Sequence, residues 1–150
     1  MTATSPMNAL GWPATTVDEV ETIFVRERIE FVHAGLFDLE GVFREKRLPV
    51  ALANRFLREG WSFIDALPFW GPNDAVRADR PYRSEACALE PSTVRPYPFE
   101  AGAALLIADY TGDSRRLSPR ALLVDQVARA AAMGFDALGA SEFEFILLSE

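Results

Sequence analysis

Phe31-Val32-His33-Ala34-Gly35-Leu36-Phe37, then Asp38-Leu39-Glu40-Gly41, then Val42-Phe43-Arg44-Glu45-Lys46-Arg47-Leu48-Pro49, is the stretch on which the fold turns. Its period is two. Phe31, His33, Gly35 and Phe37 point to one side of an extended chain, and Val32, Ala34 and Leu36 point to the other. Asp38 and Gly41 occupy the first and fourth positions of a four-residue turn, the places those residue types favour. Residues 42–48 then read as a returning strand. The stretch therefore predicts a β-hairpin with strands near 30–37 and 42–48.

Helical signals flank the hairpin. Thr16 with Glu19 three residues on is a capping box. Val17, Val20, Ile23 and Phe24 follow helical spacing, which predicts a helix over about 17–28. Residues 1–15 carry no period and read as a flexible tail. After the hairpin, Pro49 suits the first position of a helix. Leu52, Phe56 and Leu57 give that helix a face, and Gly60 ends it. Residues 61–100 mix Pro, Asp, Arg and aromatics without a clean period. Residues 86–89 and 93–97 read there as short strands split by Glu90-Pro91-Ser92. A firmer strand is predicted at 103–109, with a turn at Thr111-Gly112-Asp113. Ser118 then caps a helix that begins at Pro119, buries a stripe of Leu123, Val127 and Ala130, and stops at Gly134. A last strand is expected over 142–148. This order of helices and strands predicts an α+β fold with a mixed sheet, followed by the opening of a second unit. A strongly apolar last strand needs covering elements, so the expectation is the N-terminal portion of a longer protein.

The 150 residues carry 15 Lys and Arg against 22 Asp and Glu, a net charge of −7. An acidic chain lacks the basic face that nucleic acid or anionic lipid requires. No apolar run reaches the ~20 residues of a membrane helix. The N-terminus has neither the basic nor the apolar region of a signal peptide. One cysteine, Cys87, excludes an internal disulfide and fits a reducing compartment. Together these predict a cytoplasmic protein with no nucleic-acid or membrane partner.

Ser141-Glu142-Phe143-Glu144-Phe145-Ile146-Leu147-Leu148 holds the most informative chemistry. On a strand, Glu142 and Glu144 share one face, roughly 6.5 Å apart. Both faces turn apolar toward Leu148, the pattern of a strand buried on both sides. Two carboxylates at the head of such a strand are costly without a cationic partner, and hard divalent cations are the natural one. Two adjacent cations, each taking one carboxylate, would suit phosphoryl chemistry. The competing reading is a strand whose first residues protrude and leave both glutamates hydrated. Elsewhere the bland reading leads. His33 and Cys87 read as packed side chains. Trp61, Phe63, Phe69 and Trp70 read as packing rather than a ligand platform. Arg44, Lys46 and Arg47 read as a solvated strand face rather than an anion site. Asp65 and Asp74 read as loop formers that an active site could also use.

Four segments, in order over about 29–148, resemble glutamine synthetase-like proteins. The hairpin is similar to that family's Asp-x-x-Gly turn leading into an Arg-x-Lys-x-x-Pro run. Leu89-Glu90-Pro91-Ser92-Thr93 resembles its short proline-acid-Ser-Thr segment. Asp113 and Ser118-Pro119-Arg120 resemble its linker into the catalytic domain. Glu142-Phe143-Glu144-Phe145 resembles its Glu-x-Glu-Phe signature. The hairpin looks closer to the γ-glutamylpolyamine or another amide-forming branch than to the housekeeping bacterial enzyme.

The resemblance implies a β-grasp-like N-terminal domain over 16–111 and, over 112–150, the first helix and strand of a glutamine synthetase-type catalytic domain. It implies an ATP-dependent carbon–nitrogen ligase that joins glutamate to ammonia or an amine through a γ-glutamyl phosphate. It implies Mg²⁺ or Mn²⁺ held partly by Glu142 and Glu144, and a homo-oligomeric ring such as a dodecamer. The family's Asp-Gly-Ser-Ser segment, whose aspartate reaches a neighbouring subunit's site, corresponds to Phe63-Ile64-Asp65-Ala66-Leu67-Pro68, where the glycine and serines are missing. Asp65 is the matching catalytic candidate. The remaining metal ligands, the ATP site and the glutamate-binding arginines lie past residue 150 in family members, so this chain by itself is expected to be inactive. The alternative is a non-catalytic β-grasp binding or regulatory module derived from that family. A third reading is an unrelated acidic α+β domain that shares short motifs.

Overall fold

A computed structural model describes residues 12–71, 73, 75, 79 and 81–148. The expected tail is packed at its end: Ala14 is buried, and the Thr15 amide donates to Glu19 Oε2 at 2.7 Å. Helix α1 spans Val17–Arg26. The Glu19 amide donates to Thr16 Oγ1, and the Glu19 carboxylate accepts from the Thr16 amide, so the capping box is formed on both sides. Val20, Ile23 and Phe24 give α1 its buried face.

Strands β1 (Phe31–Phe37) and β2 (Phe43–Pro49) form the hairpin, paired antiparallel from Phe31 opposite Pro49 to Phe37 opposite Phe43. Asp38 organises its turn. Its Oδ1 accepts from the amides of Glu40 and Val42 at 3.0 and 2.9 Å, and its Oδ2 accepts from Arg44 Nε at 2.8 Å. Gly41 takes a φ of +78°, which favours glycine. Gly35 serves a different need. A Cβ there would lie 2.2 Å from the Arg44 carbonyl oxygen and 2.7 Å from Glu45 Cα, so only glycine lets β2 approach this closely.

Helix α2 spans Val50–Glu59, with Pro49 as its N-cap rather than its first helical residue. Strand β3 (Trp61–Ile64) follows directly, where no strand was expected. The sheet continues with β4 (Ser84–Leu89), β5 (Arg95–Pro96) and β6 (Ala103–Tyr110). Its order is β2-β1-β6-β4-β3, with β5 also on β6. β1 and β6 run parallel and the other pairs run antiparallel, so the mixed sheet and the α+β class are as expected. Val32, Ala34 and Leu36 of β1 join Ala104, Leu106, Ala108 and Tyr110 of β6 in one core, which takes in Val20, Ile23 and Phe24 of α1 and Ala53 of α2.

The expected strand over 93–97 shrinks to β5. Pro91–Thr93 is a 3₁₀ turn instead, between two segments that both pair with β6. Pro91 and the Glu90 side chain, which accepts from the Ser92 amide, favour the turn. Thr93 repairs the interrupted ladder: its Oγ1 accepts from the Ile107 amide at 2.9 Å while the Glu90 amide donates to the Ile107 carbonyl.

After a 3₁₀ turn at Asp113–Leu117, in place of the simple turn at 111–113, helix α3 spans Pro119–Ala132. Ser118 Oγ accepts from the Ala121 amide, and Gly134 at φ +85° closes the C-terminal end. The stripe expected to be buried is not: Leu123 is 63% and Val127 43% exposed, Ala130 is half-buried, and Ala121 alone is buried in this helix. Residues 135–148 form no helix or strand and are exposed throughout, so the strand expected over 142–148 is absent. A strand exists by pairing its backbone groups, and neither β2 nor β3, the free edges of the sheet, pairs with this segment.

Candidate functional site

Asp65 follows β3 directly. Its amide donates to the Arg83 carbonyl at 2.9 Å, and its Oδ1 accepts from the Arg83 amide at 2.8 Å. The side chain thus extends the β3–β4 ladder by one step and is buried. Tyr110 Oη, donating to the Ile64 carbonyl at 2.6 Å, anchors the same corner to β6. Asp74 lies outside the described residues.

Beside that corner an open groove of about 600 Å³ is lined by Arg44 and Lys46 of β2, Phe63 and Ile64 of β3, and Leu67 and Trp70. Arg44 carries its guanidinium 4.7 Å from the Trp70 ring centre and pairs with Asp38. Burial pushes the Asp38 carboxyl up, but hydrogen bonds from Arg44 and from the Val42 and Glu40 amides outweigh it and hold the group below the usual carboxylate range. Lys46 Nζ lies 5.2 Å from the Phe63 ring and 5.7 Å from the Trp61 ring. The basic hairpin face is therefore spent on aromatic and ionic contacts within the fold. Trp61 and Phe63 are buried against Phe56 and each other, as the packing reading held.

Cys87 is buried, and desolvation pushes its thiol up to about 12, so it is no nucleophile at neutral pH. His33 is a packed side chain whose neighbours are charged groups. It joins Glu45, Arg47, Tyr97 and Glu100 in a cluster on the sheet. Sequence reading missed this cluster. Glu100 stands 67 residues from His33, and no short-range spacing links them.

Glu142 and Glu144 lie in the exposed segment after α3. Carboxylate oxygens suit a hard divalent cation, but two of them supply only part of its shell. Among the described residues there is no group of three or more His, Cys, Asp or Glu that could hold a metal ion. The donors thus fit Mg²⁺ or Mn²⁺ as a partial set.

No family model matches the chain. It is 33% identical over 153 residues to γ-glutamylethanolamide synthetase GlnA4 of Streptomyces coelicolor, covering 92% of this chain and 32% of that protein. It is 27% identical over 143 residues to glutamate–isopropylamine ligase of a Pseudomonas species, covering 88% and 31%. Among solved structures, GmaS in its ADP complex superposes with a TM-score of 0.60 at 26% identity, over 76% of this chain and 26% of that one. A novel glutamine synthase homolog shares the fold, with a TM-score of 0.54 at 22% identity over 70% and 27%. The chain spans about a third of the length of the curated relatives it matches.

The mixed sheet and its helices make an α+β domain that is similar in sequence to these two enzymes and in fold to part of GmaS. In fold the chain is glutamine synthetase-like, and in sequence it is similar to the two amine-directed enzymes.

Proposed function

We propose that the chain is the N-terminal portion of a ligase that condenses the γ-carboxyl of glutamate with ammonia or a small amine at the expense of ATP. The observation that carries this reading is the likeness to two amine-directed ligases across about nine-tenths of the chain. Residues 16–111 are the β-grasp-like domain of this reading, and 112–150 begin its catalytic domain. Glu142 and Glu144 contribute oxygens to neighbouring Mg²⁺ or Mn²⁺ sites, whose charge would offset that of the ATP phosphates and of the acyl phosphate. Their exposure is what a segment awaiting partner elements would show. Asp65 enters as the residue facing a neighbouring subunit's site in a homo-oligomeric ring. It does so on the family resemblance, since its Oδ1 is engaged by the Arg83 amide. A cytoplasmic location accords with the lone reduced cysteine. No helix among the described residues is long and apolar enough to cross a membrane.

The test is enzymatic. The native polypeptide that carries this sequence is captured with an antibody to it and supplied with glutamate, ATP, Mg²⁺ and ammonia, isopropylamine or ethanolamine in turn. ADP, phosphate and one γ-glutamyl amide are expected in equal amounts. Capture of a polypeptide of about this length, inert toward every amine, would replace the ligase with the non-catalytic module.

A further inference from the structure

His33 lies in the middle of β1 with its side chain 8% exposed. Its Nδ1 is 2.7 Å from Glu45 Oε1 on β2, and its Nε2 is 3.0 Å from Glu100 Oε2 in the turn that leads into β6. Both partners are carboxylate oxygens, which only accept. A neutral imidazole has one donor and one acceptor nitrogen, so only the doubly protonated ring makes both bonds.

Among the described residues, Tyr97, Arg47 and Glu30 are the other charged or titratable groups that bear on this cluster. Tyr97 stacks on it, ring centres 3.7 Å apart, with its Oη 3.5 Å from Glu45 Oε1. From β2, Arg47 grips Glu100 through Nε and Nη2, and Glu30 is near enough to act on Arg47. Leu105 of β6, opposite His33 in the register, brings no charge. Glu100 is held down to about 2, by Arg47 first and His33 second, so it stays ionised. A neutral His33 would thus leave two carboxylates facing one guanidinium in a half-buried cluster.

We propose that the His33 imidazolium is a latch that holds the 97–102 turn against β1 and lets it go on losing one proton. The two partners are unequal, which sets the order of events. Glu100 keeps the Arg47 fork whatever His33 does. Among the described residues, Glu45 has only the Tyr97 hydroxyl, at 3.5 Å, besides His33. The proton therefore stays on Nδ1, where Glu45 needs it, and leaves from Nε2. The Nε2 lone pair then confronts Glu100 Oε2, and the contact is lost. The turn it had pinned carries Phe99, 86% exposed, and the Gly102 carbonyl that accepts from the Glu30 amide ahead of β1. The latch thus couples solvent pH to the order of an exposed aromatic turn.

His33 is the one histidine in the sequence, so its ring ¹⁵N signals are unambiguous. Long-range ¹⁵N–¹H spectra of the ¹⁵N-labelled chain across a pH series should show two protonated nitrogens at the acid end and an Nδ1–H tautomer at the alkaline end. The amides of Phe99, Glu100, Ala101 and Gly102 should shift with the same midpoint. Their exchange protection should fall about tenfold through it, the effect of one charge-assisted hydrogen bond. In Glu100→Gln these amides should no longer follow His33. An Nε2–H tautomer at high pH, a ring never doubly protonated, or turn amides indifferent to His33 would each overturn the latch. The wild-type spectra decide the matter even where the variant does not fold.

Discussion

Lys46 of β2 places its ammonium 5.2 Å from the ring of Phe63 of β3, although those strands stand at opposite ends of the sheet order. The sheet is therefore rolled until its two edges face each other across the groove. Six strands with right-handed twist can curl this way when one face is packed by helices. The α2 helix links the two edges in sequence, and Phe56 stacks on Trp61 from it. Lys46→Ala should open this seam. A loss of about 1 kcal/mol is expected from the cation–π contacts and the packed stem together, read as a lower urea midpoint. An unchanged midpoint would mean the seam is held without Lys46.

Gly35→Ala tests the close approach of β2. The new methyl would fall 2.2 Å from a backbone oxygen, which cannot swing aside as a side chain can. Overpacking of this kind costs about 3 kcal/mol or more. The variant should unfold at markedly lower temperature, or leave the β1–β2 amides unprotected. Wild-type melting would show that the hairpin yields at little cost.

Asp38→Asn removes the ion pair to Arg44 and leaves the turn's amide acceptor in place. The site is fully buried on the aspartate side, so about 1–3 kcal/mol is expected. The sign with pH follows from a folded-state value below the unfolded one. The contribution is fully present above the unfolded aspartate value, about 4, and is lost as pH falls through the lower folded value. Wild type and variant should converge in stability only in strong acid. A constant gap down to pH 2 would remove the carboxylate from the account.

In the ligase proposed above, Glu144→Gln keeps side-chain shape and removes one negative charge. Turnover should fall by two or more orders of magnitude, with the fold unchanged by circular dichroism. Near-normal turnover at saturating Mg²⁺ would exclude Glu144 from the metal shell.

The isolated 150-residue chain should self-associate. Leu122, Leu123, Val124, Val127, Met133, Phe135 and Phe145 are each exposed, in α3 and the segment after it. Bare apolar surface of this extent rarely persists in a soluble monomer. Sedimentation velocity should show species heavier than 16.6 kDa at micromolar concentration. A single monomeric boundary would show that this surface tolerates water.

Elements fixed by local rules were legible in the residues. The capping box at Thr16, the Asp38–Gly41 turn, the Gly60 stop and the Ser118-Pro119 start each act within a few positions, and each stands where it was read. Strand β3 was missed although Trp61 and Phe63 alternate with Ser62, because four residues are too few to outweigh the irregular segment that follows. The buried stripe on α3 and the strand over 142–148 failed for another reason. Periodicity tells which side chains seek cover, but the cover must come from other elements, and none of those in this sheet reaches them. At the candidate site, the shared-face argument for Glu142 and Glu144 needs a strand that this segment does not form, and both residues stand exposed after α3. Asp65 was read as a loop residue or an inter-subunit catalyst, and its bond to the Arg83 amide, 18 positions away, left no mark in the sequence.

Burial of Cys87 turns the chain into its own timer. The thiol sits in β4 opposite Trp61 of the edge strand, out of reach of an alkylating reagent while that edge is closed. With no second sulfhydryl to confuse the signal, the rate at which iodoacetamide consumes it reports how often β3 peels from β4. The same reading can be taken on the purified 150-residue chain over a series of temperatures, without a probe attached beforehand.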